Sequence, residues 1–208
     1  MDSYRHPVQH AEALERLKQG NARFTTNVRS IESLASQQQR ESLVSGQSPF
    51  AIVLSCSDSR APSELLFDCG LGDLFVVRVA GNVVAPSIVG SVEFAAATFG
   101  TELVVVMGHT RCGAVSATVD ALRSGKAVMS ENVRDIVERI TPAVAELVRS
   151  DKGGDDVLAT AIRANVRVSA NHLRHGSRVL EERIRAGRLV VVGAEYSLET
   201  GEVEFFDV

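Results

Sequence analysis

Three cysteines are too few, and odd in number, for a disulfide framework, so the thiols read as reduced and the chain as cytoplasmic. No apolar run approaches the ~20 residues needed to cross a bilayer. Nor does an apolar stretch come after Met1-Asp2-Ser3-Tyr4-Arg5-His6 to make a signal peptide. Positive charge is not in excess: a net charge of −4 gives no ground for nucleic acid or an anionic membrane as partner. Five prolines and 16 glycines leave no room for a long disordered linker, and there is no repeat or low-complexity segment. What remains is an ordinary globular composition, 45% hydrophobic and 23% charged. The length suits one well-filled domain over residues 1–208, with a helical arm over 1–45 and a core over 46–208.

Two stretches organise the chain. Phe50-Ala51-Ile52-Val53-Leu54 leads into Cys56-Ser57-Asp58-Ser59-Arg60, and Leu103-Val104-Val105-Val106-Met107-Gly108 leads into His109-Thr110-Arg111-Cys112. Continuous apolar, β-branched-rich runs of this length read as strands buried on both faces. Both polar sets therefore sit where a parallel strand ends, the edge at which open α/β sheets bind ligands.

In chain order, His10 to Phe24 reads as a helix with Gly20 as its break, and Ser30 to Ser45 as a second, polar helix. This arm either packs on its own domain or lies across a second subunit. The strand Phe50 to Ser55 is followed by a helix entered at Pro62. Leu74 to Val79 is the next strand, ending at Gly81-Asn82. Ser87 reads as the N-cap of a helix over Ile88 to Phe99. The strand Thr101 to Gly108 comes next, then a helix from Gly113 to Arg123. Asn132 to Arg149 is helical, with Pro142 starting a new segment. Asp155 to Ala186 reads as one long helix ended by Gly187, its Arg-rich face solvated. Leu189 to Ala194 is a strand, and Tyr196 to Phe206 a terminal hairpin. The expected class is α/β: a mostly parallel central sheet, about four parallel strands plus an antiparallel edge, flanked by helices.

Two thiols, an imidazole and a carboxylate brought together where parallel strands end make a zinc site. Cys56 and Asp58 are two apart and point the same way in an extended chain. His109 and Cys112 are three apart, close enough for one turn to hold both on one ion. Asp58 either fills a fourth position on the metal or is drawn off it by Arg60, because a carboxylate cannot serve both fully. Cys69 reads as a small buried hydrophobe. His172 and His175, with no acid or thiol beside them, read as surface residues, and His6 and His10 as exposed.

Cys56-Ser57-Asp58-Ser59-Arg60 followed by Gly108-His109-Thr110-Arg111-Cys112-Gly113 resembles the β-class carbonic anhydrases. The spacing, the strand Phe75-Val76-Val77-Arg78 and the turn Ala80-Gly81-Asn82 agree over about Ala11 to Val203. The resemblance implies a lyase, carbonate dehydratase, that reversibly hydrates carbon dioxide to bicarbonate and a proton. It implies one zinc ion per chain on Cys56, His109 and Cys112, with Asp58 joining only in a closed state and Asp58 and Arg60 as the catalytic dyad. It further implies a homodimer or homotetramer whose N-terminal helices cross to a neighbour. Of the two subtypes, the plant-like one fits better. Val53 stands where the other carries Trp, Gln47 matches a glutamine that reaches into the active site, and Phe75 matches a pocket wall. Phe94 replaces a pocket tyrosine and removes its hydroxyl. Gly113 N–H, at a helix start, is placed to stabilise developing negative charge. Two other readings stay open: an enzyme of this fold acting on a molecule like carbon disulfide, and a non-enzymatic module whose zinc Asp58 closes permanently. The intact Arg60, useless in a purely structural site, speaks against the second.

Overall fold

The computed structural model describes residues 7–30, 36–125, 128, 130–150 and 156–207. Its centre is a five-stranded sheet in the order β2-β1-β3-β4-β5. The strands are β1 Ala51–Ser55, β2 Leu74–Arg78, β3 Leu103–His109, β4 Val190–Tyr196 and β5 Val203–Phe206. Four run parallel, and β5 pairs with β4 antiparallel. The expected class and edge strand are therefore present.

Every residue of β1 and β3 is buried, because helices cover both faces of a parallel sheet. Successive side chains go to opposite faces. Ile52, Leu54, Val104, Val106 and Val191 pack beneath α4 (Pro86–Phe99), α7 (Val157–His175) and α8 (Arg178–Arg185). Ala51, Val53, Val105, Met107 and Val192 pack against α1 (His10–Thr25) and α3 (Ser63–Leu66). A third cluster lies at the carboxyl edge, where Cys56 and Cys112 meet Val115 of α5 (Gly113–Ser124), Ile140 and Val144 of α6 (Glu131–Ser150) and Ile162 of α7.

Several elements differ from their sequence reading. Gly20 does not break α1; it lies inside the helix, where a Cβ would come within 1.8 Å of the Phe67 carbonyl oxygen. The glycine permits helix and backbone to touch. The second helix of the arm, α2, covers only Gln37–Ser42 and buries nothing; Ile31 and Leu34 lie outside the described residues, as do His6 and Asp155. Helix α6 runs straight through Pro142. Pro142 faces solvent while Val137, Ile140 and Val144 bury the other side, so packing offsets the lost hydrogen bond. The long C-terminal helix is two, α7 and α8, divided at Gly176-Ser177, where the Ser177 hydroxyl accepts from Leu180 N at 3.2 Å and caps α8. Helix α4 starts at Pro86, so Ser87 lies in its first turn rather than at the cap.

Of the two alternatives for the arm, α1 takes the first. Ala13, Leu14 and Leu17 are buried in their own domain, and Asn21 donates to the Leu66 and Gly201 carbonyls while accepting from Val203 N. The chain between α1 and β1 is different in kind: Val28 and Val44 are exposed.

Candidate metal centre and active site

Strands β1 and β3 are neighbours with Ser55 opposite Met107, so the residues that leave their ends emerge side by side. The donor atoms of Cys56, His109 and Cys112 lie within 4.8 Å of one another, and all three residues are buried. His109 Nδ1 faces the Thr110 carbonyl oxygen at 2.9 Å. That bond makes Nδ1 the protonated nitrogen and turns Nε2 into the cluster, where it is buried and has no hydrogen-bond partner. A buried imidazole nitrogen left without a partner is costly unless a ligand completes it. Two thiols and a free Nε2 are the donor set of zinc, so the residues present fit that ion.

The electrostatics of the three are tied together. Cys56 goes down, first because the Cys112 thiol donates to it, while burial opposes the shift. Cys112 goes up for the same contact, aided by burial. Burial pulls His109 down, but the neighbouring Cys56 outweighs it and the net direction is up. Gly81 N–H also donates to the Cys56 sulfur, at 3.4 Å. Gly81 can do so because it sits at φ 70° in the short 3-10 turn Ala80–Asn82; buried Asn165 of α7 holds its carbonyl at 2.8 Å.

Asp58 lies beside the cluster and is bound by Arg60. The guanidinium donates Nε to Oδ1 at 3.0 Å and Nη2 to Oδ2 at 2.8 Å, and Arg60 N adds a bond to Oδ1 at 2.9 Å. That pairing holds the Asp58 carboxyl far below its usual range. Asp58 Oδ2 is 3.9 Å from His109 Nε2, so the carboxylate faces the cluster without joining it. Arg78, unnoticed as a site residue in the sequence, donates Nε to the Cys56 carbonyl at 3.0 Å and Nη2 to the Asp58 carbonyl at 2.6 Å. It pins the backbone of the loop that bears both.

Gly113 opens α5 directly after Cys112, and nothing crowds its α-carbon. Phe75 and Phe94 come together, ring centroids 6.3 Å apart, with Phe99 completing a group of three. They do so away from their own chain's cluster. Phe75 stands opposite Ile52, four residues and ~13 Å of extended strand before Cys56. Gln47 is more remote: it is exposed and precedes β1, whose length of ~16 Å separates it from Cys56. Cys69 is partly buried beside the α1-side core, and burial pushes its thiol up to about 12. His172 and His175 are exposed and His10 is half-buried.

A family model described as carbonic anhydrase matches residues 51–203. A carbonic anhydrase of Mycolicibacterium smegmatis is 40% identical over 92% of this chain and 91% of its own. Among solved structures, one β-carbonic anhydrase superposes with a TM-score of 0.73 at 26% identity, over 93% of this chain and 95% of that one. Another, described as tetrameric and from Sordaria macrospora, reaches 0.72 at 19% identity over 81% and 86%.

Proposed function

The chain belongs to the β-class carbonic anhydrases, and on that premise we propose how its own residues carry out the family's reaction. The reaction is the reversible hydration of carbon dioxide to bicarbonate and a proton, so the enzyme is a carbonate dehydratase, a lyase. Cys56, His109 and Cys112 would hold one zinc ion per chain. Such an ion would supply Lewis acidity, so that a nucleophilic oxygen is available near neutral pH. Their mutual distances, within 4.8 Å from two motifs about fifty residues apart, are the observation that carries the reading.

Asp58 is the orienting base. With Arg60 occupying both its oxygens from one side, it stays ionised and accepts a hydrogen bond from the attacking water, turning the water's lone pair to the carbon. Its pairing with Arg60 would also keep it from joining Cys56, His109 and Cys112 on the ion. The Gly113 N–H, at the positive end of α5, meets the oxygen on which charge develops. Gln47, Phe75 and Phe94 complete the pocket of a partner subunit, because strand geometry puts them too far from their own cluster. Two surfaces support that assembly, a homodimer or homotetramer. Ser87, Gly90, Phe94 and Ala97 form one exposed stripe of α4, and Val44 is 84% exposed beside α2. The chain then works as one domain, with α1 packed on it and the segment around α2 reaching beyond it. A cytoplasmic site accords with three unpaired thiols, and no described helix is long and apolar enough to cross a membrane.

Stopped-flow hydration of carbon dioxide with a pH indicator tests the whole scheme. Activity should vanish when a chelator strips the zinc and return on adding it back. Hydrolysis of carbon disulfide in place of carbon dioxide hydration would move the chain to another substrate on the same metal site.

A further inference from the structure

The loop joining His109 to Cys112 is bent in an unusual way: Arg111 sits at φ 57°, a left-handed conformation that residues with a Cβ seldom adopt. The contacts that hold it come from a turn elsewhere in the chain. Thr110 N donates to the Tyr196 carbonyl at 2.9 Å. Thr110 Oγ1 accepts from Leu198 N at 3.0 Å and donates to Glu199 Oε2 at 2.8 Å. Arg111 Nε meets the other oxygen of the same carboxylate, Oε1, at 2.6 Å. Glu199 lies in the turn between β4 and β5, 89 residues beyond Thr110, and each of its oxygens grips one of the two residues that separate His109 from Cys112. Thr110 is also the residue whose carbonyl fixes the His109 ring. The carboxylate is thus one hydrogen bond from the residue that selects the free imidazole nitrogen.

We propose that Glu199 is a positioning residue of the metal centre, clamping Thr110 and Arg111 so that His109 and Cys112 present their donors to one ion. The proposal rests on the zinc reading above. An exposed ion pair of this kind adds little to folding stability by itself, and Glu199 and Arg111 are both well exposed. The clamp acts instead on ligand geometry, because the loop has no slack: a shift at Thr110 or Arg111 alters the separation of the two donors. Outer contacts that orient metal ligands typically govern affinity by ten-fold or more.

The test is the rate at which zinc passes to a chromogenic chelator, well below the melting temperature, together with the absorption spectrum of the cobalt-substituted protein. Glu199→Ala should release zinc about 10-fold faster and alter the cobalt–thiolate bands. Glu199→Gln, which keeps an oxygen for the Thr110 hydroxyl, should fall between it and the parent. Thr110→Val should behave like Glu199→Ala, and Thr110→Ser, which restores the hydroxyl, like the parent; this pair carries the comparison if Glu199→Ala does not fold. A residue that merely steadied the β4–β5 turn would lower the melting temperature and leave release rate and spectrum alone. Release within twofold of the parent with superimposable cobalt bands overturns the clamp. A parent protein that takes up neither zinc nor cobalt overturns the metal reading itself, a result the parent alone reveals.

Discussion

His109 illustrates how a single backbone carbonyl selects a ligand atom: with Nδ1 committed to Thr110, only Nε2 is left to face the two sulfurs. Replacing Cys56, His109 or Cys112 by Ala leaves two strong donors, too few for tight zinc binding. Elemental analysis should find metal near zero in all three variants, and full occupancy in any one would exclude that residue as a ligand. Cys69 should behave oppositely. With its thiol pushed up to about 12 by burial, it carries very little thiolate, the reactive form, near neutral pH. Titration of the zinc-loaded protein with an aromatic disulfide reagent should count the same fast thiols in Cys69→Ser as in the parent. Cys56 and His109 were legible in the sequence because each comes after a run of five or six apolar residues, which fixes it at a strand end, and Cys112 lies three residues beyond His109. Glu199 was not. It stands among the ordinary turn residues Glu199-Thr200-Gly201, and only the pairing of β3 with β4, His109 opposite Tyr196, carries the turn to the ligand loop. Arg78 escaped for a similar reason, since a strand-end arginine does not announce which carbonyls it will meet.

Elements were legible where a pattern ended in a residue that cannot continue it, as at Gly125 and Gly187, both at positive φ. They were not where the decisive contact was tertiary. The apolar spacing from Ala161 to Leu180 runs on through Gly176, so one helix was expected. The division depends on Ser177, which caps α8 and also donates to Glu93 of α4 at 2.5 Å. Gly20 is the sharper case. A glycine in a helical pattern reads as a stop, yet here it is the point at which α1 rests on the backbone of Phe67. Gly20→Ala would improve local helix propensity by ~1 kcal/mol and force a backbone clash costing ~3 kcal/mol or more. The clash wins, because its partner is main chain and cannot swing aside. Thermal melting should fall by roughly 4–8 °C, the ~2 kcal/mol difference spread over a chain of this size. An unchanged or raised melting temperature would show that α1 is not seated there.

At the scale of the whole molecule, the pocket proposed above is one that a single chain cannot complete. The Cys56, His109 and Cys112 cluster and Asp58 sit at the carboxyl edge of the sheet, while Gln47, Phe75 and Phe94 lie towards or beyond the other end of the strands. Helix α4 is the surface that resolves this. Its buried side, Val92, Ala95 and Ala96, packs on the sheet, and its outer stripe is apolar and small around Phe94, which is 54% exposed. A helix apolar on both sides belongs inside an assembly, and the missing Cβ at Gly90, with open space above it, lets another backbone approach closely. Phe94→Asp places a charge in the middle of that stripe. Within one subunit the change is mild, because the side chain already reaches solvent and loses only its edge contacts with Phe75 and Phe99. Across an interface it buries an unpaired carboxylate, which strongly destabilises association. The variant should therefore keep its zinc and much of its melting temperature, run as a smaller species in light scattering at all concentrations, and lose carbon dioxide hydration. Full activity in a monomeric Phe94→Asp protein would mean that each chain completes its own pocket, and that Gln47 and Phe75 take no part in the reaction.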